Sequence, residues 1–416
     1  MSKRFIIKES TRKRCKIIPL SKERQSLFQP ISLELFHFLY KAQSITFSIF
    51  IRVGNEIIEY IKPSELSTEL LRHIWIASLK DEADVEICVK KVDHPKFTEV
   101  IDRVRSQKIE ILLEKQPALD RKTLHVFSDL SRASQMVLRG GINKDVAHKV
   151  SAAASFMVSN LMDNDLAMST LSRMINIDPT LYDHSASVAM FAGIMANQQF
   201  KKTIGAKQTE VIAQCGLYHD AGKACIPNAI LNKPDTFTLE EFEIMKTHAI
   251  LGYKELTKAI DSGSPIDKVV AQVALEHHER FEGQGYPHGR AGRLEQDKEN
   301  GIHPYSRIIS IADSYSALLM ERVYKPALPA EKAIRILEET ASSNFDPDIF
   351  HPFIEAMKRS LQMLEERESN LFGNIYLVEK GESAAKKIIE VKKSKQKIEK
   401  LDTNSLQAGF KKCSHH

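Results

Sequence analysis

Seven of the histidine and aspartate residues at positions 184 to 313 form a set of candidate ligands, on segments that have the pattern of successive helices. They are His184, His219, Asp220, His248, His277, His278 and Asp313. One histidine would be weak grounds for a site. Two adjacent pairs are stronger grounds, because burying an imidazole or a carboxylate without a partner is costly and metal coordination would compensate for it. The set therefore predicts a hydrolase that holds two metal ions.

Both pairs lie in segments of low polarity. His219 and Asp220 follow the residues CGLY and precede AGKACIP, where Pro227 ends any helix. His277 and His278 end the apolar run VVAQVALE. These positions are the ones that we expect to be buried.

Composition limits the class of protein. With 416 residues and 43% hydrophobic residues, the chain is long enough for two or three ordinary globular domains. Its longest apolar runs fall short of the roughly 20 residues that a membrane helix needs, so we expect no membrane span. The basic amino terminus lacks the apolar stretch of a signal peptide, which favours the cytoplasm.

Charge and cysteine content exclude further classes. The net charge is +5, and much of the excess lies in the first sixteen residues and in KKSKQKIEK near the other end; this distribution predicts no nucleic-acid partner. Without a CxxC pair, the cysteines are expected to be reduced thiols that take no part in the site. They are Cys15, Cys88, Cys215, Cys225 and Cys413.

The patterning predicts a mainly α protein in four parts. Residues 1–97 read as a small α/β regulatory domain, with strands in ITFSIFIRV and EIIEYIK and a helix in PSELSTELLRHIWIASL. Residues 98–137 form a helical connector, residues 138–368 an all-helical metal-dependent domain, and residues 369–416 a basic, flexible tail. No period of 20 to 50 residues indicates a repeat fold.

Helical spacing also predicts which residues face inward. In the segment 144–175 these are Val146, Val150, Ala153, Phe156, Met157, Leu161 and Leu166. In the segment 302–323 they are Ile308, Ile311, Ala312, Tyr315 and Leu318, with Asp313 beside them. Thr238 and Glu241 form a capping box that is expected to open the helix carrying His248.

The motifs, in order, resemble the HD-GYP branch of the HD phosphohydrolase superfamily. They are HDAGK, a helix ending in IMKTH, the segment HHERFEGQGYP and IADSYSAL, and they span roughly residues 140 to 368. The resemblance implies an all-helical HD domain and the hydrolysis of cyclic di-GMP to pGpG, and further to GMP, by a metal-activated hydroxide in bacterial second-messenger signalling. It implies that the seven histidines and aspartates bind two divalent ions, with iron or manganese favoured for mixed nitrogen and oxygen ligands.

The same resemblance assigns further roles. Asp220 and Lys223 are the expected catalytic residues, and Lys223 would also bind a phosphate oxygen. The residues expected to contact substrate in addition are Gly285, Tyr286, Pro287, Arg322 and Lys325. The tyrosine ring suits stacking on a base, and an arginine fork suits phosphate or guanine.

Two positions depart from the family pattern. Thr180 stands where some members have a glutamate for a third metal, so two metals are expected. Ser316 stands where a second aspartate commonly follows Asp313. Because outer-shell partners typically affect metal affinity or activity by roughly 10 to 100-fold, this serine predicts modest activity.

Two alternatives to a cyclic di-GMP phosphodiesterase stay open from the sequence. One is a non-catalytic module that senses the dinucleotide or docks a protein through the Gly-Tyr-Pro loop; loss of metal ligands would be its sign. The other is a hydrolase of another cyclic dinucleotide such as cyclic GMP-AMP. A protein partner through the loop or the first domain, and a homodimer, are compatible with all three.

Overall fold

The computed structural model describes most of the chain between residues 16 and 378. The described ranges are 16–19, 26–31, 33–53, 56–63, 65–72, 85–161, 163–178, 181, 183–200, 203–231, 233, 236–292, 301–320, 328–340 and 344–378. Most of the helix expected between 63 and 79 lies outside these ranges, as do Thr180, Arg322 and Lys325.

The amino-terminal unit is built on an antiparallel sheet with the strand order β1-β4-β3-β5-β2. The strands are β1 Lys16–Pro19, β2 Phe28–Pro30, β3 Ile49–Val53, β4 Glu56–Ile61 and β5 Val85–Lys90. In the centre, Ile51 pairs with Ile58 on one side and with Ile87 on the other, and such β-branched residues suit a half-buried pleated surface. Both expected strands are confirmed as β3 and β4. A short helix, α1 Leu33–Phe36, continues as a 3-10 turn over His37–Lys41.

The rest of the described chain is helical. The helices are α2 His94–Lys115, α3 Arg121–Gly140, α4 Lys144–Leu161, α5 Ala167–Ile177, α6 His184–Phe200, α7 Ala206–Tyr218, α8 Asn228–Leu231, α9 Leu239–Lys246, α10 His248–Asp261, α11 Lys268–Glu276, α12 Pro304–Leu319, α13 Ala330–Thr340 and α14 Pro347–Val378. A 3-10 segment over Ala221–Cys225 follows α7. The predicted fold class, a mainly α protein with a small α/β unit at its amino end, is confirmed.

Helix α2 joins the sheet to the helices. Phe97 of α2 meets Phe47 edge to face, with ring centroids 5.9 Å apart. The buried apolar side chains of the sheet, of α2 and of the later helices belong to one continuous cluster. Burial of this shared core, at about 25 cal/mol per Å² of apolar surface, therefore ties the amino-terminal unit to the helical domain.

Helix α6 lies at the centre of the helical domain, and its sequence HSASVAMFAGIMANQQF is apolar on nearly every side. Helix α7 packs close to it at Gly216, where an added Cβ would lie 2.5 Å from the Ala189 Cα. Helix α12 packs on it through Phe191 and Tyr315, whose rings are 5.0 Å apart. The inward face predicted for α12 is confirmed, since all five residues named for it are buried. This packing fixes the relative positions of the helices that carry the site.

Four local expectations need correction. The segment 144–175 contains two helices, α4 and α5, with a turn in residues 163–166 rather than one continuous helical pattern. Phe156 is 47% exposed rather than inward. The Thr238 capping box is confirmed, but its helix ends at Lys246, so His248 begins the next one. The last helix runs to Val378, beyond the expected end near residue 369.

Helices that could cross a membrane were sought among the described residues, and none is both long and apolar enough.

Candidate metal centre

The site is assembled mostly from helix ends. His184 and His248 are the first residues of α6 and α10, whereas His219 and His277 directly follow α7 and α11. Asp313 lies within α12. Six of the seven residues thus sit at helix termini, because Asp220 and His278 each follow one of these histidines. Short side chains at converging helix ends can meet at one point.

The structure brings all seven side chains together, in two groups. One group contains Asp220, His248, His277 and His278, and the other contains His184, His219 and Asp313. Within each group, one candidate ligand atom per residue lies within 4.8 Å of all the others. Three or four donors converging at this separation match what a transition-metal ion needs.

Asp220 stands between the two groups. Its Oδ2 atom is 3.3 Å from Nε2 of His219 and 3.6 Å from Nε2 of His184. Its Oδ1 atom is 3.4 Å from Nε2 of His248 and 3.8 Å from Nε2 of His277. One carboxylate therefore presents one oxygen to each group, which is the arrangement of a bridging ligand.

Backbone carbonyls orient three of the histidines. Nδ1 of His219, His248 and His277 lies 2.8, 2.7 and 2.9 Å, respectively, from the carbonyl oxygen three residues earlier. A carbonyl oxygen only accepts, so each Nδ1 carries the proton and donates. Each Nε2 is then left with its lone pair pointing into the site, which is the form that binds a metal.

The ionisation of the site also favours cations. Burial would raise the pKa of the Asp220 carboxyl, but the Lys223 ammonium at 2.6 Å and the nearby histidines outweigh it and hold the pKa well below its usual value. Burial lowers the pKa of His278 to about 3 and that of His277 well below its usual value. Burial also lowers the pKa of His248, so the His248 group at neutral pH offers an ionised carboxylate and neutral imidazoles. Burial would lower the pKa of His219 as well, but the adjacent Asp220 carboxylate outweighs it and raises that pKa.

A further observation supports the fit of these residues to a pair of divalent ions. Oδ1 of Asp220 is buried, yet it accepts no hydrogen bond in the described structure. An unpaired buried carboxylate oxygen is costly, and a cation between Oδ1 and the His248 group would remove that cost. Histidine nitrogens mixed with carboxylate oxygens suit iron, manganese or zinc.

Ser316 supports His184 rather than Asp313. Its Oγ atom lies 3.3 Å from Nδ1 of His184, and the serine is fully buried. The sequence alone predicted that position 316 lacks a carboxylate that would support Asp313. In the structure the hydroxyl instead faces Nδ1 of His184, as a backbone carbonyl does for His219, His248 and His277.

We predict that Ser316→Ala weakens binding of the ion held by the His184 group. The substitution removes the partner that fixes the ring, and loss of such partners typically costs roughly 10 to 100-fold in metal affinity. Metal titration followed by elemental analysis measures it. Ser187→Ala is the matched control, because Ser187 lies on the helix that begins with His184 and its hydroxyl donates to the Asp183 carbonyl. Equal affinities in both variants would contradict the role of Ser316.

The Gly-Tyr-Pro loop folds back over the paired histidines. Tyr286 stacks on His278, with ring centroids 4.6 Å apart and planes inclined by 29°. Its N–H donates to the carbonyl of His278. At Gly285 an added Cβ would lie 2.3 to 2.5 Å from backbone atoms of residues 278–280. Only glycine allows this close approach, and it places Tyr286 against a candidate ligand.

Two buried carboxylates hold this loop, and the sequence reasoning did not single them out. Glu279 accepts the N–H groups of His288 and Arg290 at 2.8 and 2.9 Å. Glu276 accepts from the Arg290 guanidinium at 2.6 Å and from the Ser306 hydroxyl at 3.0 Å. A usable signal existed, because the segment EHHE places a charged residue on each side of the histidine pair at the end of an apolar run.

Comparison with known proteins shows which families and proteins this region is similar to. The HD domain family matches residues 169–349, which include all seven candidate donors. A cyclic di-GMP phosphodiesterase of Thermotoga maritima is 34% identical over 181 residues, which are 44% of this chain and 46% of the relative. One from Pseudomonas aeruginosa is 30% identical over 246 residues, which are 58% and 56% of the two chains. A 3'3'-cGAMP-specific phosphodiesterase of Vibrio cholerae is 33% identical over 193 residues, covering 46% and 38%.

The chain spans about half the length of these curated relatives. Among solved structures, an HDG"Y"P protein from Bdellovibrio bacteriovorus aligns over 80% of this chain and 99% of its own, with a TM-score of 0.50 and 18% identity. At that identity the likeness concerns the fold. The matches confirm the resemblance to HD proteins that the motifs indicated.

Proposed function

Because residues 169–349 form an HD domain, we propose that this protein is a metal-dependent phosphodiesterase that opens cyclic di-GMP to the linear dinucleotide pGpG, and further to GMP. The observation that carries the proposal is the pair of donor groups joined by Asp220. Two cations held side by side suit the in-line displacement at a phosphodiester. The names of the relatives from Thermotoga and Pseudomonas support the choice of substrate.

The proposed cofactors are two divalent ions, with iron or manganese favoured by the ligand set. The His184 group would hold one ion and the His248 group the other, with Asp220 shared. When bound, the ions supply positive charge for the phosphate oxygens and activate the attacking water. The protein contributes the fixed ligand directions set by the backbone carbonyls and Ser316.

Lys223 is the proposed partner of the scissile phosphate. Its Nζ atom lies 2.6 Å from Oδ2 of Asp220, and its side chain is one third exposed. The ammonium can therefore reach a substrate oxygen without leaving the carboxylate. There it would stabilise the charge of the transition state or donate a proton to the departing oxygen.

We expect Lys223→Met to lower kcat by roughly 10² to 10³-fold, the usual cost of removing a group that stabilises transition-state charge. Metal content should stay near that of the wild type, because the seven donors are unchanged. Steady-state kinetics with elemental analysis separates the two effects. A normal kcat, or loss of metal together with activity, would contradict this role.

The direct test of the function is turnover by anaerobically purified protein of known metal content, loaded with ferrous iron or manganese. Chromatography would follow the conversion of cyclic di-GMP to pGpG and GMP. Binding without cleavage by metal-loaded protein would overturn the enzyme proposal in favour of a sensor or docking module.

A second candidate substrate is cyclic GMP-AMP, favoured by the name of the Vibrio cholerae relative. Parallel assays with both dinucleotides decide between them. Much faster hydrolysis of cyclic GMP-AMP would change the substrate while leaving the chemistry in place.

The remaining proposals concern the whole chain. We propose that the sheet unit up to residue 97 regulates or dimerises the phosphodiesterase domain, and that the protein acts in the cytoplasm of a bacterium. A homodimer, and a protein partner at the Gly-Tyr-Pro loop or at the sheet unit, belong to the same proposal. Arg322 and Lys325 remain proposed substrate contacts.

A further inference from the structure

Helix α9 lies beside the metal centre, yet it has no buried residue. Its sequence, LEEFEIMK, contains a single cation, Lys246, in the last turn. The chain continues through Thr247 directly to His248, a donor of the metal centre. Helix α9 therefore presents one positive charge two residues before a candidate ligand.

The Lys246 ammonium lies between two aromatic rings. Its Nζ atom is 5.3 Å from the ring centroid of Phe242 on the same helix and 5.8 Å from that of Tyr286. Tyr286 in turn stacks on His278. One aromatic ring thus separates the ammonium from a candidate metal ligand, and the lysine stands at the rim of the site.

The ammonium is available to an incoming anion. The Lys246 side chain is 26% exposed, and its ion-pair partner Glu243, at 2.5 Å, is 68% exposed. Because the Glu243 carboxylate lies largely in solvent, which screens its charge, this ion pair contributes little. A phosphate held at this position by the rest of the substrate would therefore compete well with the solvent-exposed carboxylate of Glu243.

A cyclic dinucleotide carries two phosphodiester groups, each with one negative charge. The metal centre and Lys223 account for one of them. If a base packs near Tyr286, the second phosphate lies away from the metals and needs a cation at the rim. A charge-assisted hydrogen bond to an ammonium is among the stronger single contacts that a phosphate can make.

We infer that Lys246 binds the second, non-reacting phosphate of the substrate and thereby selects cyclic dinucleotides over single phosphodiesters. This inference rests on the proposed phosphodiesterase function. It adds a specificity residue that belongs to the helix before His248 and that stands apart from the metal donors and Lys223.

The test compares two substrates in the full-length, metal-loaded protein: cyclic di-GMP, with two phosphodiesters, and bis(p-nitrophenyl) phosphate, with one. Lys246→Gln is expected to raise KM for cyclic di-GMP roughly tenfold and to leave kcat within about threefold, because it removes binding remote from the reacting bond. Kinetics with bis(p-nitrophenyl) phosphate should not change. Lys246→Arg should restore KM to within about threefold of the wild type, since arginine also binds phosphate.

Lys233→Gln is the matched control. Lys233 also pairs with a glutamate of α9, its Nζ lying 2.6 Å from Oε2 of Glu241, but its ion pair is not the one beside Tyr286. Lys233→Gln should leave kcat and KM unchanged for both substrates. An unchanged KM in Lys246→Gln, or an equal loss with both substrates, would overturn the inference, the second result indicating a purely structural lysine.

Failure of the proposed function has a different signature, namely wild-type protein that turns over neither substrate. In that case, calorimetric measurement of cyclic di-GMP binding tests the proposed role of Lys246. Weaker binding by Lys246→Gln than by the wild type supports it, and equal binding, or none by either, overturns it.

Discussion

Asp220→Asn is expected to abolish the paired metal centre. An amide retains the shape of the side chain but has only one acceptor oxygen, and its NH₂ group repels a cation. Because loss of an outer-shell partner alone costs about 10 to 100-fold, loss of the shared ligand should lower activity by more than roughly 10³-fold. Elemental analysis should find fewer than two ions per chain, and turnover of cyclic di-GMP should fall accordingly.

The control for this prediction is Asp145→Asn. Asp145 is 74% exposed and pairs with Lys149 on the surface of α4, so the substitution changes the same charge away from the site. It should bind metal and turn over substrate like the wild type. If Asp220→Asn kept two ions per chain at unchanged affinity, the bridging role of Asp220 would be wrong.

Gly222→Ala is expected to displace His248. An added Cβ at residue 222 would lie 2.0 Å from the carbonyl oxygen of His248 and 2.4 Å from the Gly252 nitrogen. Both contacts are with backbone atoms of α10, so the helix has to move. We expect a loss of about 1–3 kcal/mol or more in the free energy of unfolding, together with loss of the ion held by the His248 group. Thermal unfolding and metal analysis measure the two effects.

Gly252 lies against Gly222 and provides a control for which a smaller effect is expected. A Cβ at residue 252 would lie 3.2 Å from the Gly222 nitrogen and 3.6 Å from its Cα, so small shifts relieve it. Alanine also favours the helix by about 1 kcal/mol relative to glycine. Gly252→Ala should therefore be much milder than Gly222→Ala. The reverse order, or a Gly222→Ala variant with wild-type stability and metal content, would refute the close approach.

Residue types and periodicity were sufficient for much of the fold. The pattern of α12 identified five inward residues, and all are buried, because a 3.6-residue repeat of apolar side chains allows only one buried face. The same reasoning failed for Phe156, which lies on α4 in the described structure with nearly half of its surface exposed. Periodicity indicates a preferred face, but neighbouring helices decide how much of that face is covered.

The helix break before His248 shows a second limit of the sequence. Thr238 and Glu241 identify where α9 begins through a local hydrogen-bond pattern. Its end at Lys246 has no comparable local signal. The break coincides with a tertiary contact, because Gly222 brings the 3-10 segment against the backbone of the first turns of α10.

The position of Ser316 shows a third limit. In the sequence it lies three residues after Asp313, and the prediction was that a carboxylate supporting that aspartate is missing. In the structure it lies against Nδ1 of His184, which is 132 residues away in the chain. No local rule relates two positions at that separation.

The sequence by itself predicted the seven candidate donors, Lys223 and the Gly-Tyr-Pro loop, because the chemistry of the side chains and their order resemble those of HD proteins. Only the tertiary structure decided how these side chains are arranged. Asp220 faces both groups, Tyr286 stacks on His278 and Lys246 lies at the rim of the site. The physical reason is that ligand identity belongs to single residues, whereas ligand direction depends on atoms that the packing of distant helices brings together.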